Sequence, residues 1–122
     1  MIKFIQCIRK RPEMSIQDFR REWKTYQTKA SALAKAINAT GLSFCTTLAV
    51  EENLQVMLTR GTSEPFDGIA EMRIANAPRT IEALGREPAR SLMLDFQAMQ
   101  ASFIDLERSS FFFTAEETVI QR

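Results

Sequence analysis

The chain has 122 residues, 45% of them hydrophobic, which fits one globular domain with a real core. Sixteen Lys and Arg stand against fifteen Asp and Glu, so the formal charge is +1 and there is no global field to recruit nucleic acid or an acidic membrane surface. Histidine is absent, which removes the commonest metal ligand and the commonest general acid or base; no metal site and no cofactor is expected, and a histidine-based triad cannot be built.

No apolar run approaches the roughly 20 residues that span a bilayer, and the opening MIKFIQCIRK alternates in character instead of forming a signal peptide's apolar block. A soluble, cytoplasmic protein without a membrane partner is expected. Cys7 and Cys45 both fall in strand-like runs, where a small buried thiol is commoner than a disulfide in a reducing compartment.

Ile2, Phe4, Ile5, Cys7 and Ile8 form a first strand, apolar on both faces and ended by Arg11-Pro12-Glu13. Ser15 with Asp18 three residues on resembles a capping box. Ile16, Phe19, Trp23, Tyr26, Ala30, Leu33 and Ile37 then recur at spacings of three and four, which predicts an amphipathic helix closing near Gly41. Aromatics in the seam argue for a helix lying on a sheet instead of a coiled coil. Arg20, Arg21, Lys24 and Lys35 on the other side make a solvated surface.

Leu42 to Val50 is rich in β-branched, aromatic and threonine residues and predicts a second strand. Leu54 to Arg60 is expected either to pair back as a hairpin or to run irregularly, and Gly61 to Pro65 is loop chemistry. In EPFDGIAEMRI, period-two alternation puts Phe66, Gly68, Ala70, Met72 and Ile74 on a core face and Asp67, Ile69, Glu71 and Arg73 on the opposite one. Asp67-Gly68 is also a favoured tight-turn pair, so a strand starting at Ile69 competes with one starting at Phe66.

Asn76, Ala77 and Pro78 open a helix through Ile81 and Leu84 that breaks at Gly85 to Pro88. A further segment runs through Leu92, Phe96, Met99 and Phe103, its apolar surface widened by Met93 and Leu94. Ser109 to Val119 ends the chain as a strand containing Phe111, Phe112 and Phe113.

The resulting order is the α+β, ferredoxin-like βαββαβ arrangement, a four-stranded antiparallel sheet with both helices on one face. Large apolar residues on both sides of the first and last strands leave a face that two helices cannot cover. A second copy packed sheet to sheet is the simplest cover, so a homodimer is expected.

MIKFIQCIRKRPEMSIQDFRREW, FDGIAEM and SFIDLERSSFFFTAEETVI, in this order, resemble the EthD domain family of the dimeric α/β-barrel superfamily, over nearly the whole chain. The resemblance implies a single domain over residues 1–122, a dimeric α/β barrel, and a cavity for a small hydrophobic or aromatic, polyketide-like carbonyl compound. It also implies a cofactor-independent lyase, isomerase or oxygenase-type activity. Family members often carry a histidine at the position of Gln27 and another near Leu48. Both are missing, so a non-catalytic binding or accessory protein is the alternative.

Within that frame Glu71 is the candidate proton-transfer group, since a carboxylate in a water-restricted cavity can give or take a proton, whereas one paired with Arg73 is structural. Gln27, Tyr26, Asp67 and Arg73 are the candidate substrate-binding residues. With Phe66, Gly68, Ala70, Met72 and Ile74 packed beneath the helices, Asp67, Glu71 and Arg73 are expected to face the barrel side, where a partner subunit restricts water.

Overall fold

A computed structural model describes residues 1–122. The elements in chain order are β1 (Ile2–Ile8), α1 (Ile16–Ala36), β2 (Gly41–Thr46), α2 (Glu51–Arg60), β3 (Gly68–Ile74), α3 (Ala77–Leu84), α4 (Ala89–Phe103) and β4 (Ser110–Ala115), with a short 3₁₀ turn, Leu106–Arg108, before β4. The four strands form one antiparallel sheet in the order β2-β3-β1-β4. This is the ferredoxin-like sheet-and-helix arrangement. No helix is long and apolar enough to cross a membrane.

The expected α/β barrel is not what forms. The sheet is open, with β2 and β4 as its two edges and no pairing between them. Closure takes about eight strands at a steep tilt, and four strands of six or seven residues cannot curl far enough for their edges to meet. The βαββαβ order is likewise corrected by α2. Residues expected to pair back or run as loop wind into a helix, with Glu51 and Glu52 at its positive end, Arg60 at its negative end and Gly61 in the left-handed conformation at its close.

α1 begins as its sequence dictates, with the Ser15 hydroxyl accepting from the Asp18 amide at 3.1 Å. It ends earlier than Gly41, because Asn38 turns to a positive φ of 59° and breaks the helical path. Its stripe, Phe19, Trp23, Tyr26, Ala30 and Leu33, is buried. Burying each large member of that stripe is worth roughly 1.5 to 3 kcal/mol. Phe19 stacks on Trp23, Trp23 on Tyr26 and Tyr26 on Phe96 of α4, with ring centroids 5.5, 5.7 and 4.4 Å apart. The indole lies so close to β3 that a Cβ on Gly68 would come within 2.6 Å of it, which is why that position carries no side chain.

Register settles the two sheet faces. Beneath the helices lie the rows Leu42–Met72–Phe4–Phe113 and Phe44–Ala70–Gln6–Phe111. On the opposite face lie Gly41–Arg73–Lys3–Thr114, Ser43–Glu71–Ile5–Phe112 and Cys45–Ile69–Cys7–Ser110. Alternation along β3 is thus as expected, although the strand starts at Gly68, between the two predicted starts. Asp67 forms a bend there. Its amide donates to Ile8 O and its carboxylate accepts from the Lys10 amide, both at 2.8 Å, fastening the preceding loop to the end of β1.

The open face is mixed instead of uniformly apolar, with Ile5, Ile69 and Phe112 beside a charged corner. Cys7 and Cys45 are both free thiols on this face, the first half-buried and the second exposed, not the buried pair that strand position alone predicts.

Candidate functional site

A cavity of about 600 Å³ lies between the sheet and the helices. β1 contributes Ile2, Phe4 and Gln6; β3 contributes Met72 and Ile74; β4 contributes Phe111 and Phe113. Leu33 and Ile37 of α1, the inward side of α3 from Ala77 to Leu84, and Met93, Phe96, Gln97 and Gln100 of α4 close the other side. Fourteen of the eighteen lining residues are hydrophobic, so the space favours an apolar ligand. Its mouth is marked by exposed apolar side chains, with Ile81 70% and Phe113 67% accessible.

Polar groups are few and converge. Gln6 is the single polar residue on the helix-facing side of β1 and is only 1% exposed. Its Oε1 accepts from the Tyr26 hydroxyl, and that hydroxyl in turn accepts from Gln100 Nε2 at 2.9 Å. Burial pushes the Tyr26 phenol up from its ordinary value, partly offset by the Gln100 bond, so it stays protonated across the physiological range. The lining includes no Asp, Glu, Lys, Arg or Cys.

The residues singled out by sequence fall in four places. Tyr26 stands behind the cavity wall and reaches it through Gln6 and Gln100. Gln27 lies one position round α1 and lines a separate shallow groove with Arg20, Lys24 and Thr46. Glu71 and Arg73 are on the open face, across the sheet from the cavity, and Asp67 is at the loop junction just described. Nor do three or more Cys, Asp or Glu side chains gather in a group able to hold a metal ion.

On the open face the charges pair with one another. Lys3 Nζ lies 2.7 Å from Glu116 and 3.2 Å from Glu71, and Arg73 meets Glu116 at 2.8 Å. Arg73 first and Lys3 second hold the Glu116 carboxyl down to about 2, below the usual 4.5. The Glu116 hydrogen bond is the main reason the Lys3 ammonium is raised above its ordinary value, with Glu71 adding to it and burial opposing.

Gln6 and Gln100 are the site residues that sequence reasoning passed over. The available signal was a polar residue where period two demands an apolar one, Ile2–Phe4–Gln6–Ile8, and a glutamine four residues after Phe96 on a buried helix face.

No protein-family model matches this chain, and no curated protein matches it. Solved structures do. A dimeric protein of unknown function and ferredoxin-like fold from Bacteroides fragilis superposes with a TM-score of 0.64 at 9% identity, over 94% of this chain and 95% of its own. An EthD-family protein from Bacillus halodurans gives 0.61 at 15% identity, covering 96% and 99%. SnoaB, a cofactor-independent oxygenase from Streptomyces nogalater, gives 0.54 at 11% identity, covering 98% and 97%. At such identities the likeness is one of fold: this chain shares its ferredoxin-like architecture with a dimeric protein of unknown function, an EthD-family protein and an enzyme.

Proposed function

We propose that this chain is one EthD-like domain that holds a small, largely apolar, aromatic carbonyl compound in the cavity between its sheet and its helices. The observation that carries the reading is an apolar space of ligand size whose wall has one linked polar cluster, buried Gln6 and half-buried Gln100 joined through Tyr26. Those groups orient a ligand. The phenol hydrogen is held by Gln6 and the lining has no carboxylate or amine to take a proton away, so binding is the better-supported activity.

A cofactor-independent reaction on the same compound is the second reading, supported by the fold shared with SnoaB. Glu71 does not serve it, because a general base must come within about 3 Å of the proton it takes and Glu71 is across the sheet. As a proton-transfer group, with Arg73 and Asp67 as contacts, Glu71 would act only on a ligand held against the open face.

We further propose that two copies pack through that open face as a homodimer. Ile5, Ile69 and Phe112 supply its apolar centre, and the neighbouring charges already pair among themselves, so covering them would strand none. The dimeric state of the Bacteroides fragilis protein supports this.

Titration with the neutral fluorophore N-phenyl-1-naphthylamine tests the cavity. Saturable binding is expected, weakened about tenfold or more by Leu84→Trp and Met93→Trp, which fill the space, and untouched by Glu71→Gln and Gln27→Ala. The reverse pattern would overturn the assignment. Light scattering that finds a single chain at micromolar concentration would sink the homodimer.

A further inference from the structure

The Tyr26 hydroxyl has one hydrogen to give and lone pairs to receive with. It gives that hydrogen to Gln6 Oε1 and receives one from Gln100 Nε2. Each amide therefore spends one of its two ends on the tyrosine. The other ends, Gln6 Nε2 and Gln100 Oε1, make no hydrogen bond within the chain, and neither is sealed from the cavity that both glutamines line.

One unspent donor and one unspent acceptor thus belong to a wall whose other polar side chains are only Thr80, which already donates to Ile37 O, and the exposed Gln97. Turning both amides over and reversing the hydroxyl restores both bonds and exchanges which glutamine offers the donor. Turning over only one leaves the tyrosine facing two donors or two acceptors, so the two amides are coupled.

We infer, on the footing of the cavity reading above, that Gln6, Tyr26 and Gln100 select a neutral ligand carrying an acceptor and a donor side by side, a carboxamide or a hydroxycarbonyl. A simple ketone satisfies the donor and leaves the acceptor buried without a partner. A carboxylate does the same and adds a charge that no lysine or arginine of the lining meets. Tyr26 is a positioning residue in this arrangement: it is fully buried and acts through the two amides.

Four near-isosteric probes separate the cases: 2-naphthamide, 2-acetonaphthone, 2-naphthoate and 2-isopropylnaphthalene, titrated against the whole chain by calorimetry near pH 7. The amide is expected to bind about tenfold tighter than the ketone and about a hundredfold tighter than the carboxylate. In Tyr26→Phe, which keeps the stacked ring, and in Gln100→Met, the amide-to-ketone ratio is expected to fall to about one, with 2-isopropylnaphthalene affinity within about twofold of the parent.

Equal affinity of the parent for amide, ketone and hydrocarbon would overturn the selectivity and leave the cavity reading standing. Failure of all four probes to bind would overturn both. A ratio unchanged in Tyr26→Phe and Gln100→Met would place the discrimination elsewhere and overturn the assignment to these residues.

Discussion

The two faces of the sheet are built from the same four strands, yet they carry opposite kinds of order. Beneath the helices, Phe4, Ala70, Met72 and Phe44 meet the aromatic stripe of α1, and the two polar residues in the layer, Gln6 and Thr46, have their own partners in Tyr26 and Trp23. On the other face large apolar side chains sit beside two cations and two carboxylates that satisfy each other across three strands. The first face derives its stability from burial within the chain. Charge pairing organises the second, whose apolar centre gains only when something is laid upon it. One face is therefore a property of the folded monomer, and the other, on the proposed pairing of two copies, a property of concentration.

Matched phenylalanines break that comparison most sharply. Phe103 is fully buried and Phe112 is 43% exposed. In urea unfolding of dilute protein, Phe103→Ala is expected to cost about 3 to 5 kcal/mol, whereas Phe112→Ala is expected to stay within about 0.5 kcal/mol of the parent. Equal losses would mean that the open face is already packed within the single chain.

Next comes the association itself. Phe112→Asp, which places a charge at the apolar centre of the open face, is expected to weaken self-association about a hundredfold by sedimentation equilibrium, with the monomer's circular dichroism unchanged. Gly68→Ala reports on the helix side: its Cβ must displace the Trp23 ring, at a cost of about 1 to 3 kcal/mol. Tryptophan fluorescence should shift as the indole loses its 3.2 Å bond to the Thr46 hydroxyl.

The smallest effect lies in the charged corner. The folded value of Glu116 is below its unfolded one, so the pairing stabilises fully above about 4.5 and is lost as pH falls toward about 2. Lys3 is shifted upward, so its share is present below the ordinary lysine value of 10.5 and is lost as pH rises through the raised one. Glu116→Gln is expected to flatten the acid limb of a stability–pH curve between those first two values. An unaltered limb would show that solvent screens the cluster.

What the sequence disclosed follows from which contacts are local. The cap and stripe of α1 and the alternation of β3 were legible because each is written in spacings of two, three or four residues. α2 was not, although its acidic first turn and Gly61 were visible, because Leu54, Val56 and Leu58 alternate with period two as in a strand, while the helical spacing of Leu54, Met57 and Leu58 spans a single turn. The α1 terminus was assigned to Gly41 by residue type, whereas Asn38 turned left-handed first. For the site, reactivity guided attention to Glu71. The polar groups at the cavity wall are glutamines, which gain meaning only once Tyr26 joins residues 20 and 74 positions away.

α2 carries a consequence of its own. It has ten residues, none of them buried, and a helix so short is marginal in water when its own backbone bonds are all that hold it. Its amides should therefore trade hydrogen for deuterium within seconds while those of α1 hold theirs for hours.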